Sequence, residues 1–270
     1  MKNGTPSMTA MVSSAAAAAR AVAGGRLETR GAVVLAYHDI GDDPAENTTY
    51  SLTPELFREH LLNSLRWGLR FVPLGELTQR MRRGDGVAGM AAITFDDGLV
   101  GVHHHAMPIL LDLGLPATVF AVTESLGATP SWWPGSARMM SCKELKEMAA
   151  AGFEVSSHSR THASLPFLED RDLKEELVGS QAELEQLTGR AVDIIAYPYG
   201  HFDARVLDAV ADAGYRAGYS FLNGRLVAGL DRLRLPRLCM GPWQGRLRLA
   251  LDLARRPAAW PDSQRQAHRG

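Results

Sequence analysis

The chain has 270 residues, 46% of them hydrophobic, enough to bury a substantial core in one large domain. A formal net charge of -1 leaves no electrostatic footprint for nucleic acid. Cys142 and Cys239 lie far apart with no C-x-x-C pattern, and read as ordinary buried or half-buried thiols of a reducing compartment.

Residues 8–24 are small and alanine-rich, but Ser13, Ser14 and Arg20 interrupt them and Lys2 is a poor start for a signal peptide. No stretch reaches the roughly 18–20 apolar residues that span a bilayer. The expectation is a cytoplasmic protein with a peripheral or disordered extension over 1–31, one main domain over 32–256 and a polar tail over 257–270.

Within the domain, short apolar runs alternate with helical patterns. AVVLAY (32–37) predicts a buried strand, and 54–67 carries apolar residues at helical spacing. LRFVPL (69–74) predicts a strand and 75–84 a helix with a basic tip. AAITF (91–95) is a strand that stops at Asp-Asp-Gly; 104–114 follows as a helix and 116–122 as a strand. Residues 141–152 open with a serine followed three residues later by glutamate, a capping box, and close at Gly152. Then come a strand (153–157), a long amphipathic helix (172–189), a strand (192–198), a helix (204–214) and strands at 215–220 and 233–240. Regular alternation without internal repeats predicts a parallel α/β fold, doubly wound or a barrel. No glycine-rich phosphate-binding fingerprint follows any strand. In barrels the chemistry sits at the C-terminal strand ends, where this chain places His38-Asp39, Asp96-Asp97, Ser157-His158 and Tyr199.

TFDDG (94–98) is compatible with a plain strand-ending turn. Its functional reading is that one carboxylate binds a cation while the other serves as a base. SHSRTH (157–162) offers two imidazoles four residues apart, which on a helical turn would share a face. With nine histidines in the chain that spacing is weak evidence alone, but with one carboxylate it makes an open-site ligand set. HHH (103–105) lies on the helix after TFDDG, where at most one ring can face a given point, and reads as surface or packing. YPYG (197–200) is a tight turn that could also aim the Tyr199 N–H at a developing oxyanion.

TFDDG, HSRTH and YPYG in this order, with PILLDLGLPATVFAV and MSCKELKEMAAAGFEVSSHS between them, resemble the polysaccharide deacetylases with a NodB-like domain, carbohydrate esterase family four, over roughly residues 33–240. The resemblance implies a distorted (β/α)7-type barrel and one divalent metal ion, usually zinc, with Co2+, Ni2+ or Fe2+ as alternatives. It implies Asp96 as general base, Asp97, His158 and His162 as ligands, and the Tyr199 backbone in the oxyanion hole.

Two departures stand out. The family's Arg-x-Pro-Tyr motif has Ala196 at the arginine position, so the partner that usually orients the base is missing. The C-terminal Leu-x-His-Asp motif is also absent, but LAYHD (35–39) reads like that motif moved to the N-terminus. First and last strands are neighbours in a closed barrel, so the move can preserve a position in space. This is similar to the circularly permuted branch acting on poly-N-acetylglucosamine, and makes His38 the general acid. Tyr37, Asp39, Tyr197 and Pro198 flank these positions and are the candidates for substrate contact. The implied activity is hydrolysis of the acetamide of an N-acetylated saccharide or glycoconjugate, expected inside the cell. A catalytically inactive carbohydrate-binding protein and a hydrolase of non-sugar amides are the competing readings. Residues 243–260 mix leucine, arginine and tryptophan, and fit either the last packing helix or a segment on an anionic membrane surface.

Overall fold

The computed structural model describes residues 19, 22–27, 31–43 and 48–254. The expected tail over 257–270 and most of the 1–31 extension lie outside them, although Leu27 packs into the main core.

Eight strands form the sheet: β1 (Val33–Tyr37), β2 (Arg70–Phe71), β3 (Met90–Phe95), β4 (Thr118–Ala121), β5 (Glu154–Ser157), β6 (Ile194–Ala196), β7 (Ala217–Asn223) and β8 (Leu235–Cys239). Every pairing between them is parallel. β1 pairs with both β3 and β8, which closes a seven-stranded barrel, and β2 is a short addition beside β3. The ring is distorted where pairing is thin. β5 and β6 share the single pair Ser157–Ile195, and the β7–β8 register breaks between Tyr219 and Asn223. The expected distorted (β/α)7-type barrel is therefore the fold.

Alternation along the strands sorts side chains into two layers. Val34, Ala92, Phe120, Ile194, Ala196, Ala217, Tyr219 and Leu235 fill the inside. Val33, Leu35, Tyr37, Ile93, Phe95 and Val119 face outward against helices. Continuing the inward parity gives His38 after β1, Asp96 after β3, His158 after β5 and Arg237 within β8. Polar groups are thus delivered to the barrel mouth by the same period of two that builds its core.

The surrounding helices are α1 (Pro54–Arg66), α2 (Leu74–Arg83), α3 (Met107–Leu113), α4 (Cys142–Ala150), α5 (Asp170–Lys174), α6 (Ser180–Thr188), α7 (Ala204–Asp212) and α8 (Arg246–Ala254). The capping box of α4 is present: Ser141 Oγ accepts from the Glu144 N–H and the Glu144 carboxylate accepts from the Ser141 N–H. The predicted strand 69–74 shrinks to two residues because Pro73 caps α2, so Leu74 is already helical. π-helical turns, which periodicity does not register, precede α3 (Val102–Ala106) and join α5 to α6 (Glu175–Gly179). Cys142 is exposed at the start of α4, contrary to its expected burial.

α8 favours the packing-helix reading of 243–260, of which residues 255–260 lie outside the described residues. Leu249, Ala250 and Leu253 are buried and the helix packs on α1, while Leu247 is left exposed. Among the described residues no helix is long and apolar enough to cross a membrane.

Candidate active site

Asp97, His158 and His162 converge at the barrel mouth, all buried, with one potential ligand atom from each lying within 4.8 Å of the others. Asp97 Oδ1 is 3.2 Å from His162 Nε2 and 3.6 Å from His158 Nε2. A tetrahedral zinc site with bonds of 2.0–2.1 Å has ligand–ligand edges of about 3.3 Å, so these separations fit a divalent cation. Oδ1 of Asp97 is buried without a hydrogen-bond partner, as a group that awaits a cation would be. Nδ1 of His158 lies 2.8 Å from the Ala196 carbonyl, which accepts its proton and leaves the Nε2 lone pair to face the other two ligands. Burial pulls His158 down to about 4, so it stays neutral near pH 7. For Asp97 burial alone would raise the pKa. The close approach of His162 and the charges of His38, His162 and His158 outweigh it and hold the carboxyl well below the usual range.

The backbone explains how neighbouring residues all reach the pocket. Among the described residues, four non-glycine residues have positive φ: Asp97 (65°), Ser159 (65°), His162 (64°) and Tyr199 (57°). All four lie in the three motif loops, where left-handed backbone is costly and is retained for what it positions. At Asp97 it breaks strand alternation, so that Asp96 and Asp97 both face inward. At 158–162 it replaces the expected helical turn: the two imidazoles meet through a loop that is not helical. That loop is fixed from below by buried Glu176, which accepts from the N–H groups of Arg160 (2.8 Å) and Thr161 (2.9 Å) and from the Thr161 hydroxyl (2.6 Å).

Asp96 has a different partner. Arg237, fully buried on β8, donates through Nη1 to Asp96 Oδ1 at 2.6 Å and through Nη2 to Oδ2 at 2.8 Å. Burial would raise the Asp96 pKa, and the Arg237 charge together with His158 holds it below its ordinary value. Arg237 thus offers Asp96 the guanidinium that Ala196 cannot, from β8, which only β7 separates from β6 in the ring. The signal was present in LRLPRLC (233–239), where an arginine interrupts a buried strand and must find an anion.

His38 emerges from β1 beside these groups, as barrel closure anticipates. Its ring is sandwiched between Tyr50 (centroids 4.6 Å apart) and Phe221 (5.6 Å). Burial lowers its pKa, Asp97 and Asp96 pull it upward, and Arg237 and His162 push it down again.

The four residues expected to contact substrate are all buried. Tyr37 and Tyr197 have outward parity. Tyr37 packs among Phe57 and Phe95, and Tyr197 lies where a Cβ on Gly218 would collide with it and donates to the Leu233 carbonyl at 2.9 Å. Asp39 is buried and accepts from Ser51 Oγ at 3.0 Å, while Pro198 is buried beneath the Tyr199 turn. The exposed rings at the mouth are others: Tyr199, 46% exposed, edges onto His162, and Trp243, 48% exposed, edges onto Tyr50. Trp132 and Trp133, half-buried, also reach the pocket. These tryptophans carry no spacing that a sequence reading could use.

His103 and His104 form a second group with Glu144, so two of the three consecutive rings do approach one point through the π-turn. Glu144 there is committed to a fork from Arg138 at 2.7 Å on each oxygen and to the cap of α4.

The sequence profile of the family described as polysaccharide deacetylase matches residues 83–218. YxkH of Bacillus subtilis (strain 168), which bears a polysaccharide deacetylase name, is 29% identical over 150 residues, 56% of this chain and 51% of that protein. The chain thus matches about half the length of that relative. The poly-beta-1,6-N-acetyl-D-glucosamine N-deacetylase of Staphylococcus epidermidis is 24% identical over 238 residues, 79% of this chain and 80% of the relative. Among solved structures, IcaB from Ammonifex degensii superposes with a TM-score of 0.74 at 25% identity, covering 85% of this chain and 99% of that one.

Proposed function

The chain belongs to the polysaccharide deacetylase family, and from that premise we propose that it hydrolyses the acetamide of an N-acetylated amino-sugar polymer in a metal-dependent reaction. The observation that carries this reading is that two adjacent aspartates have two separate sets of partners. Asp97 faces two imidazoles and Asp96 faces a buried arginine. One carboxylate is built to hold a cation and its neighbour is kept free of that duty.

A divalent cation held by Asp97, His158 and His162, with zinc the first candidate, would supply Lewis-acid polarisation of the acetyl carbonyl and a lowered pKa for a coordinated water. Asp96, kept ionised by Arg237, takes the proton of the attacking water. The Tyr199 N–H donates to the carbonyl oxygen as charge develops on it. His38 gives a proton to the amine nitrogen as the C–N bond breaks, releasing acetate and a free amino sugar. The competing reading of an inactive sugar-binding protein rests on the missing arginine and histidine, and the presence of Arg237 and His38 at the β8–β1 seam supports the active reading over it. Rings with exposed faces around the mouth, Tyr199 and Trp243, suit the apolar faces of pyranose sugars better than a small charged amide.

Acetate release from poly-β-1,6-N-acetyl-D-glucosamine, from the N-acetylglucosamine monomer and from a non-sugar acetamide, with and without added zinc, tests the proposal. Zinc-dependent release from the polymer, absent in Asp96→Asn, is the expected result. Release from the non-sugar amide alone would overturn the substrate class, and no release from any of the three would overturn the activity.

A further inference from the structure

The two imidazoles of the triad are oriented in different ways. His158 donates from Nδ1 to a carbonyl, the usual support for a ligating histidine, whereas Nδ1 of His162 is buried with no hydrogen-bond partner among the described residues. What His162 has instead is Trp132, whose ring lies flat on it at 4.2 Å between centroids and 14° between planes. The next residue, Trp133, donates its indole N–H to Asp97 Oδ2 at 3.0 Å. Two consecutive tryptophans therefore touch two of the three ligands.

The loop that carries them is built to hold that position. It leaves after the β4 strand and returns before α4, and its neck is closed by Met139 N–H to the Ala128 carbonyl (2.8 Å) and Gly127 N–H to the Met140 carbonyl (3.0 Å). Its returning leg is tied to the segment that follows Asp97: Met140 N–H donates to the Gly98 carbonyl (2.8 Å) and Val100 N–H to the Arg138 carbonyl (2.9 Å). Arg138 in turn forks onto Glu144 in α4. The tryptophans, the Asp97 turn and the first turn of α4 are one hydrogen-bonded unit.

We infer that this loop, over 128–139, is a clamp that sets the metal coordination, with Trp133 and Trp132 as positioning residues. The inference rests on the reading of Asp97, His158 and His162 as the ligands. With Oδ2 engaged by the indole, Asp97 offers a cation one oxygen instead of chelating it with two, which keeps a coordination position open for chemistry. Trp132 restrains rotation of the His162 ring, the task that a carbonyl performs for His158.

Titration of the metal-free, full-length protein with Co2+, followed by its visible absorption, tests the clamp without recourse to turnover. The parent is expected to bind about one ion with the stronger absorption of a low-coordinate site, and His158→Ala to bind none. Trp133→Phe keeps the ring and removes the donor. It should bind Co2+ about 10–100-fold more weakly, the usual worth of a group that orients a ligand, and with a weaker spectrum as Oδ2 joins the coordination. Trp132→Leu should also weaken binding, and Trp132→Phe, which restores a flat ring, should recover most of it. If the parent binds no cobalt, the ligand reading itself fails. If the parent binds while Trp133→Phe and Trp132→Leu match it in affinity and spectrum, the ligands stand and the clamp is overturned. The Trp132 pair decides alone should Trp133→Phe fail to fold.

Discussion

The barrel mouth is assembled from two arcs of different kinds. The arc from β3 to β5 carries Asp97, His158 and His162, each within a short contiguous motif whose left-handed residues aim the side chains. The arc across the β8–β1 seam carries Arg237 and His38, 199 positions apart in the chain (237 minus 38) yet on strands paired through Leu35–Leu238 and Ala36–Cys239. The first arc is local and gathers groups suited to a cation. The second exists only once the barrel closes, and gathers the groups to which the proposed mechanism gives proton transfer around Asp96. On the proposed mechanism, recruitment of a cation and proton transfer fall to separate strands, and substitutions should separate them.

The largest effect is expected from the first arc. His158→Ala and His162→Ala should each lose the bound divalent ion, from about one per chain to none by elemental analysis, and activity with it. Retention of the parent's metal content in both variants would remove the basis for the division. Asp96→Asn should do the opposite: metal content at the parent level, and turnover down by about 10²–10⁴, the usual contribution of a positioned base. The seam comes next. His38→Ala should keep its metal and lose turnover on amides within that same range, with a smaller loss on activated acetyl esters whose leaving groups need no proton. Equal losses on amides and esters would count against His38 as the acid.

Arg237 sharpens the comparison further, because it acts on stability as well. Both it and Asp96 are fully buried, so Arg237→Met leaves a carboxylate without its counter-charge and should cost about 3–5 kcal/mol in denaturant unfolding. Asp96→Asn combined with Arg237→Met should recover part of that loss, since the uncompensated charge is gone. Strict additivity of the two changes would mean that Asp96 and Arg237 do not act as a unit.

What was legible in the sequence follows the same division. The motifs of the first arc can be read from spacing, and the strand–helix alternation gave a parallel α/β fold with doubly wound and barrel forms both open. The family resemblance pointed to the barrel and also placed His38, through the idea that a motif moved to the N-terminus regains its position on closure. Arg237 signals only that it needs an anion, because which anion is defined by closure alone. Adjacency to motif residues points Tyr37 and Tyr197 toward substrate, yet alternation turns neighbours to opposite faces, and both point into the packing beneath helices. The parity of each strand was available and would have excluded them. Trp132 and Trp133 belong to a loop whose path depends on hydrogen bonds to the residues after Asp97, which no local pattern announces.

The smallest effect tests how the seam tunes its acid. Phe221 is half-buried, stacks on His38 at 5.6 Å, and lies under the Arg237 guanidinium at 4.9 Å. Burial is the largest cause of the lowered His38 pKa, and the Arg237 charge adds to it in the same direction. Phe221→Leu admits water to one face of the ring and to the guanidinium. Both changes favour the imidazolium, so the His38 pKa should rise toward its ordinary value. A general acid works only while protonated, and that fraction is lost as pH climbs through the pKa. The alkaline limb of the kcat profile should therefore move to higher pH, while turnover near pH 7 stays within about tenfold of the parent, roughly 1.4 kcal/mol in the barrier. A bound cation adds a like charge near His38 in parent and variant alike, which leaves the sign of the difference unchanged. An alkaline limb that stays in place, or shifts to lower pH, would show that the group titrating there is not His38.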